Sequence, residues 1–462
     1  MSQNNTLDKN TRGAVLEFFR RLHFYIGLFV GPFIFVAALT GTLYVFSTQI
    51  ESRLYAHELT TQPVGEAHSL AEQIAAARTY VGEEAQIYAV RPAPGRFDTT
   101  RVQFVDPELG SSESRAIFVD PYSLGIRGDL TVYGTSGSLP MRKWIDQIHR
   151  GLLLGDVGRL YSELAASWMW VAALGGVALW WLSRPKRQLK KAKSRIAASR
   201  RLHITLGLFL LAGLLVFSAT GLTWSQWAGD NITKMRTAFN WLTPKVQTTL
   251  DAHAAGHTPA DPHAEHHMPM AGRVMPPANN DLWQQVLASA RQAGIDAAKI
   301  EIRGPKSEGK AWTVAEIQAR WPTQVDTVAV DPRDMRIVDR VDFAQYPLAA
   351  KLTRWGIDFH MGLLFGLANQ LLLTAFGLGV CVMIVLGYRM WWLRRPTAPA
   401  ENVASSLLHA WLRLPMRWRT GSLMASAGFG WCLPVMGGSL LLFLLVDLAR
   451  WQYQKHQTSQ FA

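Results

Sequence analysis

The chain has 462 residues, of which 49% are hydrophobic and 18% are charged, and its formal net charge is +13 at pH 7. Its apolar residues lie in runs long enough to cross a bilayer, which excludes an ordinary soluble domain. The two cysteines, Cys381 and Cys432, both lie within such runs, so the polar segments between them contain no cysteine for a disulfide.

Five apolar segments follow one another along the chain, and each approaches or exceeds the roughly 20 residues that a spanning helix needs. They cover residues 24–47, 160–182, 204–227, 368–393 and 427–449. The first is longer than the apolar core of a signal peptide, and no small-residue cleavage site follows it. The sequence therefore predicts about five transmembrane helices, with the first one retained.

The loops on one side of the predicted helices are strongly basic. Residues 183–203 contain nine lysines and arginines and no acidic residue, and residues 394–419 contain five arginines and one glutamate. Because basic loops stay on the cytoplasmic side, we expect both loops and the N-terminus to be cytoplasmic. The positive charge then faces anionic lipid headgroups, and it requires no nucleic-acid partner.

Two long segments, 49–148 and 228–359, are then expected on the outer side. Each starts with an amphipathic helix pattern, at 70–81 and at 282–293. Alternating runs typical of strands follow, at 85–90, 101–105 and 116–119 in the first segment and at 299–302, 312–318 and 327–330 in the second. The predicted fold class is a membrane α-helical bundle with two extracytoplasmic α+β modules.

One unit of sequence occurs twice. The Arg-Arg-Leu-His run ending at His23 returns at His203, a shift of 180 positions. The His-x-Gly-Leu-Leu run starting at His149 returns at His360, a shift of 211 positions, and a low-complexity stretch near 250–280 accounts for the difference. These correspondences predict an internal tandem duplication.

The repeat arranges the four histidines in two pairs. His23 and His203 begin helices that run outward, whereas His149 and His360 precede helices that return, so each pair shares one depth. An ionisable side chain at membrane depth is costly and tends to face a bundle interior or a cofactor. Two imidazoles on opposite sides of one iron can ligate a b-type haem. The pattern indicates two haems, although duplication alone also copies a structural histidine.

Basic residues flank both pairs. Arg20 and Arg201 neighbour the inner histidines, and Arg150 and Arg354 neighbour the outer ones. Such cations suit the propionates of a haem at the membrane edge. Contact with lipid headgroups explains the inner cations equally well. The outer cations run against the positive-inside rule, and they favour propionates, an anionic substrate or both.

The doubled pattern resembles the PepSY-associated transmembrane family over about residues 15–397. The resemblance rests on Arg-Leu-His with a following Gly-Leu and a later Thr-Gly, an α+β module, and His-x-Gly-Leu-Leu before a helix ending in Trp-Leu-x-Arg-Pro. Family members are iron-regulated inner-membrane proteins, and the characterised type is a di-haem ferric-siderophore reductase. The resemblance implies PepSY-like outer modules, two haem b groups ligated by His23, His149, His203 and His360, and a multi-pass protein of the bacterial inner membrane.

The predicted organisation follows the chain, and the fifth helix departs from a plain two-by-two arrangement. The segments are 1–48 (cytoplasmic N-terminus and first helix), 49–148 (first module), 149–203 (second helix and basic loop), 204–227 (third helix), 228–359 (second module), 360–396 (fourth helix) and 397–462 (amphipathic stretch and fifth helix).

The implied function is transmembrane electron transfer. Electrons from a cytoplasmic or quinol donor would cross two haems and reduce a ferric siderophore or another metal chelate on the outer side. The chain has no Gly-x-Gly-x-x-Gly after a strand and no Walker-type Gly-Lys-Ser/Thr, so it offers no nucleotide or flavin site. The expected partners are therefore the chelate, the external donor and membrane lipids.

A second possible metal site lies in the insertion at 252–277. It contains several histidines followed by three methionines, and the proposed ligands are His257, His263, His266 and His267. Imidazole and thioether groups suit copper and related metals, which makes copper or other metal handling an alternative. The same composition is also typical of a flexible loop.

Two further functions stay open. An extracytoplasmic sensor or regulatory protein with peptidase-inhibitor-like modules would not need the four histidines. A metal transporter would use them directly, but the spans lack a set of acidic or thiol residues along a path, and five helices leave little room for alternating access. Haem content separates a reductase from both.

Overall fold

The structure is a computed structural model that describes residues 2–183, 195–250, 259–260, 279–394 and 407–460. The chain divides into two compact units. The helical unit comprises Met1–Leu43, Gln147–Ile232 and Leu371–Ala462. The sheet unit comprises Tyr44–Asp146 and Thr233–Gln370. Each unit draws on both copies of the sequence repeat.

The α-helices range in length from 4 to 28 residues. In chain order they are α1 (Ser2–Phe29), α2 (Gly31–Val45), α3 (Ser47–Leu54), α4 (Ala56–Leu59), α5 (Leu70–Val81), α6 (Pro140–Gly151), α7 (Gly155–Leu182), α8 (Arg195–Phe209), α9 (Leu211–Thr223), α10 (Trp227–Ala238), α11 (Asp281–Gln292), α12 (Leu348–His360), α13 (Leu367–Arg394), α14 (Leu407–Leu412), α15 (Met416–Cys432) and α16 (Pro434–Gln460).

Three helices in the described residues are long and apolar enough to cross a membrane, namely Gly155–Leu182, Leu367–Arg394 and Pro434–Tyr453. Two bent helix pairs, α1 with α2 and α8 with α9, bring the number to five if each pair is one span. The pairs bend by 55° and 59°. Their breaks, at Val30 and Leu210, are related by the repeat shift of 180. In the first pair Pro32 lacks an N–H to donate, which favours the break.

The fifth predicted span, 427–449, is divided in the structure. Helix α15 ends at Cys432 and α16 begins at Pro434, because proline is favoured in the first helical turn and cannot continue the preceding helix. A Cβ on Gly437 would lie 2.5 Å from the carbonyl oxygen of Gly430, so these glycines allow the two helices to approach closely. The amphipathic stretch 407–418 is also divided, with Pro415 preceding α15.

The sheet unit contains one eight-stranded antiparallel sheet with the strand order β10-β9-β8-β7-β1-β2-β3-β4. The strands are β1 (Ile87–Arg91), β2 (Thr100–Phe104), β3 (Glu113–Val119), β4 (Ile126–Tyr133), β7 (Ile300–Arg303), β8 (Trp312–Glu316), β9 (Thr327–Val330) and β10 (Ile337–Val341). A separate short pair is formed by β5 (Thr243–Pro244) and β6 (Pro259–Ala260).

The two predicted modules therefore share one sheet instead of forming two separate ones. Strands β1 and β7 pair antiparallel, with Val90 opposite Ile302. If the two halves formed separate four-stranded sheets, β1 and β7 would each be an unpaired edge strand. Pairing β1 with β7 satisfies the backbone hydrogen-bonding groups of both strands. The sequence missed β4 and β10, which form the outer edges. Their residues are mostly half-buried or exposed, so their apolar alternation is weak.

Helices α5 and α11 cover one face of the sheet and form its main core. The centres of the Trp283 and Trp312 rings lie 4.6 Å apart in an edge-to-face arrangement, and both side chains are buried. Helix α5 starts with a capping box, in which the Ser69 hydroxyl accepts from the backbone N–H of Glu72 and the Glu72 carboxylate accepts from that of Ser69. The cap explains why α5 begins at Leu70 as predicted, and Gly82, at a φ of 127°, follows its last residue, Val81.

Both halves of the sheet contain the same turn at positions separated by the repeat shift of 211. Asp120 accepts a hydrogen bond from the backbone N–H of Tyr122, and Asp331 accepts one from that of Arg333, each at 2.9 Å. The turn then places Leu124 and Met335 at φ values of 58° and 60°. Aspartate stabilises such turns by bonding to its own backbone two residues on.

Buried charges join the two halves beside the β1–β7 pair. Glu301 in β7 is 4% exposed and forms ion pairs with Arg91 of β1 and Arg303 of its own strand, at 2.6 and 2.5 Å. Burial by itself raises the pKa of Glu301, but the guanidinium groups of Arg303 and Arg91 reverse this and lower the pKa to about 2. The carboxylate is thus held ionised by both halves of the sheet.

Replacing Trp283 tests the shared core. We expect Trp283→Ala to destabilise the sheet unit by about 3–5 kcal/mol, because it removes a fully buried ring and leaves a cavity. Faster amide hydrogen exchange in β7, β8 and β9 measures the effect. The control is Trp144→Ala in the same unit, where the side chain is exposed. Equal exchange rates in the two variants would contradict the proposed core.

The Glu301 ion pairs predict acid sensitivity. A carboxyl group with an ordinary pKa of 4.5 and a folded pKa of about 2 stabilises the fold fully above pH 4.5 and loses this contribution as the pH falls toward 2. The contribution is about 3 kcal/mol. We expect Glu301→Gln to destabilise the sheet unit at pH 7 and to flatten its exchange-detected stability between pH 5 and pH 2. The exposed Glu66→Gln should keep the wild-type pH profile.

Candidate functional site

The helical unit brings His23 and His203 together. Their ring centres lie 6.2 Å apart, and their ring planes are inclined by 83°. An iron bound by one nitrogen of each imidazole, at roughly 2 Å per bond and about 1.2 Å from nitrogen to ring centre, would separate the centres by about 6.4 Å. The observed spacing therefore fits two axial ligands of one iron.

A backbone carbonyl orients each ring of this pair. Nδ1 of His23 lies 3.0 Å from the carbonyl oxygen of Ala172 in α7, and Nδ1 of His203 lies 2.9 Å from that of Met383 in α13. Because a carbonyl oxygen can only accept, Nδ1 donates in both rings and the lone pair lies on Nε2. In this neutral tautomer Nε2 is the nitrogen that can bind a metal. The two carbonyls are themselves 211 positions apart, so the contacts follow the repeat.

Glycines lie against both rings. A Cβ on Gly176 would lie 3.3 Å from Cε1 of His23, and a Cβ on Gly387 would lie 3.7 Å from Cε1 of His203. These glycines are also related by the shift of 211. A Cβ at position 176 would require the His23 ring to shift by a few tenths of an ångström, whereas a Cβ at position 387 would make ordinary van der Waals contact with the His203 ring.

His149 lies in the helical unit, where Thr40 of α2 orients it. The Thr40 hydroxyl directs its hydrogen to carbonyl oxygens of its own helix, that of Val36 at 2.7 Å and that of Ala37 at 3.2 Å. It therefore accepts from Nδ1 of His149, which lies 3.0 Å away. The hydroxyl of Tyr161 donates to the backbone carbonyl of His149 at 2.7 Å. His149 thus has the same tautomer as the other two rings.

His360 lies at the end of α12 in the sheet unit. Its predicted pairing with His149 of the helical unit stays a prediction. Two residues before it in sequence, the carboxylate of Asp358 is buried and accepts from Nε of Arg354 at 2.9 Å. The backbone carbonyl of Asp358 accepts from the N–H groups of Leu363 and Leu364 and closes the turn after the helix.

The four predicted cations flank histidines in the sequence and differ in their surroundings. Arg20 is mostly exposed and forms an ion pair with Glu17, and Arg201 is exposed. Arg150 is half-buried, and its backbone carbonyl accepts from the Ser162 hydroxyl. Because Arg20 and Arg354 already bind carboxylates, they would exchange one anionic partner for another on binding a propionate.

The metal ligands proposed in the insertion, His257, His263, His266 and His267, lie outside the described residues. Among the residues that the structure does describe, no group of three or more histidine, cysteine, aspartate or glutamate side chains is arranged to hold a metal ion.

The sequence reasoning missed two buried acids in the helical unit. Glu163 of α7 is 0% exposed, and its carboxylate accepts from the backbone N–H groups of Trp227 and Ala228 at the start of α10. Asp447 of α16 is 5% exposed and accepts from the N–H of Leu408 at 3.2 Å. Each is the only acidic residue in its predicted span. Because acidic residues are rare within such spans, this pattern in the sequence could have identified both.

The family model described as the PepSY-associated TM region matches residues 20–394, so the chain belongs to that family. No curated protein matches the sequence. The family and the apolar helices together identify a multi-pass membrane protein. Helices α14, α15 and α16 lie beyond the matched residues.

The Glu163 cap can be tested directly. We expect Glu163→Leu to destabilise the helical unit by about 2 kcal/mol, since it leaves the first N–H groups of α10 without their acceptor. Hydrogen exchange of the amides of Trp227 and Ala228 and the thermal unfolding midpoint measure this loss. Asp230→Leu, an exposed position on the same helix, should leave both nearly unchanged. Protection of the two amides in Glu163→Leu would argue against the cap.

Proposed function

We propose that this PepSY-associated transmembrane protein is a haem-containing reductase that passes electrons across the membrane by two b-type haems to a ferric siderophore or another metal chelate. The observation that supports it most is the approach of His23 and His203, with both lone pairs on Nε2 and both rings oriented by repeat-related carbonyls. A structural histidine duplicated by chance would not need a partner ring at the spacing of an iron ligand.

The protein's own residues would hold and tune the inner haem. Nε2 of His23 and of His203 would ligate the iron, while the hydrogen bonds from Nδ1 to Ala172 and Met383 fix the ring orientation and increase the basicity of the ligands. Gly176 and Gly387 leave space beside the rings. When bound, a haem supplies a one-electron carrier that alternates between Fe(III) and Fe(II).

His149 and His360 are the proposed ligands of the second haem, nearer the opposite membrane surface. The support for His149 is its Thr40-bound Nδ1, which gives it the same tautomer as the inner ligands. The support for His360 is its repeat relation to His149. With one haem site near each membrane face, an electron would cross the hydrocarbon core, about 30 Å thick, in shorter transfer steps.

The substrate side of the proposal rests on the sheet unit. Arg142 is buried, donates from Nε to the Tyr44 hydroxyl at 3.0 Å, and precedes His149 in the same helix, α6. A buried cation there suits an anionic chelate. One electron converts the chelated Fe(III) to Fe(II), which hard oxygen ligands hold less strongly, so the metal is released. The electron donor and the chelate both come from outside the chain.

Haem content decides the proposal. In detergent-purified protein from a haem-replete host, we expect about two haems per chain and a low-spin b-type difference spectrum. His203→Ala and His23→Ala should each lose about one haem, because they remove a ligand of the same iron. His57→Ala, which alters an exposed side chain of the sheet unit, should retain both. A colourless wild-type protein would refute the reductase function.

A further inference from the structure

An apolar groove of about 260 Å³ lies in the helical unit between α1, α7, α14 and α16. Three aromatic rings line it, those of Tyr25, Phe29 and Phe443. The ring of Phe443 lies 5.0 Å from that of Tyr25 and 5.9 Å from that of Phe29. Tyr25 and Phe29 stack at 6.1 Å with an angle of 16°. We refer to this site as the aromatic groove.

The aromatic groove also has polar groups on its α16 side. Asp447 and Arg450 line it within one turn of that helix, and Asp447 is almost completely buried. The indole N–H of Trp168 donates to the hydroxyl of Ser439 at 2.9 Å, and both residues line the groove. An intramembrane carboxylate is expensive and marks a functional site by default. The groove thus combines flat apolar walls with a strong hydrogen-bond acceptor.

Two features connect the aromatic groove to the lipid and to the histidine pair. Phe29 and Leu442 line it and are largely exposed on the helical unit, so a lipophilic molecule can enter sideways. Leu22, Tyr25 and Ile26 line it from α1, the helix that carries His23. The groove and His23 are therefore separated by no more than about one helix diameter, roughly 10 Å.

We propose that the aromatic groove binds a lipid-soluble hydroquinone, which donates electrons to the site of His23 and His203. This inference rests on the proposed function, since it names the electron donor of that site. The ring would lie among the aromatic side chains, its isoprenoid tail would extend into lipid, and one hydroxyl would donate to the Asp447 carboxylate. A cavity of about 150 Å³ already holds benzene, so 260 Å³ admits a substituted six-membered ring.

The chemistry of the aromatic groove favours this donor over a soluble one. The chain has neither a Gly-x-Gly-x-x-Gly after a strand nor a Walker-type Gly-Lys-Ser/Thr with which to hold a nucleotide donor. A lipid acyl chain would fit the apolar walls but has no group to donate to Asp447. The carboxylate is therefore what distinguishes a hydroquinone site from a lipid groove.

The reaction balances as a two-electron oxidation. Both O–H bonds of the hydroquinone break, and a quinone, two electrons and two protons result. The electrons would leave one at a time for the haem that His23 and His203 would hold, and two ferric ions of the chelate would finally be reduced. Asp447 accepts each proton in turn from the hydroxyl groups and releases it to water at the membrane surface.

Binding is tested without any electron transfer. A photoreactive azido-ubiquinone is irradiated with the detergent-purified full chain, and the labelled peptides are mapped by mass spectrometry. We expect saturable labelling of peptides from α1 and α16 that excess decylubiquinone suppresses. Phe443→Trp, which fills the groove, should reduce labelling by about tenfold or more. Leu441→Ala, an exposed α16 position that does not line the groove, should label as the wild type does.

Electron donation is tested separately by stopped-flow haem reduction with decylubiquinol. We expect Asp447→Asn, which keeps an acceptor oxygen for Leu408, to slow this reduction by about tenfold or more. Reduction by dithionite should be unchanged in both groove variants, since their haem ligands are intact. Leu441→Ala should equal the wild type with both reductants.

The outcomes separate this inference from the function on which it rests. A haem-containing protein that dithionite reduces, but that azido-ubiquinone does not label in the groove, overturns the hydroquinone site and leaves the reductase intact. Labelling displaced equally well by excess phospholipid also overturns it and identifies a lipid site. A protein without haem that still binds quinone refutes the reductase and the donor role together. Groove labelling combined with the Asp447→Asn defect supports the proposal.

Discussion

A polar side chain inside an apolar helical unit is costly unless a partner satisfies it, and this constraint governs the candidate site. It explains why Nδ1 of His23 and of His203 meets a backbone carbonyl, why Nδ1 of His149 meets Thr40, and why Glu163 caps a helix. In the three histidines the satisfied nitrogen is Nδ1, so Nε2 retains the lone pair. The hydrogen bonds that satisfy the buried rings therefore also leave Nε2 in the form that can bind a metal.

In the sheet unit the governing constraint is that an edge strand leaves backbone N–H and C=O groups unpaired. Two four-stranded sheets would each leave an inner strand unpaired, whereas pairing β1 with β7 leaves β4 and β10 as the outer edges of one sheet. The ion pairs of Glu301 with Arg91 and Arg303 then connect the halves. Breaking one partner of a buried ion pair is expensive, so these charges favour this register over a shifted one.

The proposed reductase would use both features. The helical unit contains the paired imidazoles and, in the aromatic groove, a carboxylate beside aromatic walls, and the sheet unit contains buried cations such as Arg142. The helices that complete the groove, α14 and α16, lie beyond the residues that the family model matches. The groove forms where α16 packs against α1 and α7.

The sequence alone predicted the elements that local physics determines. The length of the apolar runs indicated the spans, and the alternation of apolar and polar residues indicated six of the strands. The repeat paired His23 with His203. All three patterns can be read directly from the order of the residues. The tertiary structure decided the rest. The partners of the histidine rings, the single sheet and the burial of Asp447 depend on residues distant in sequence. Hydrogen bonds and packing across such distances leave no local pattern, so only the fold could reveal them.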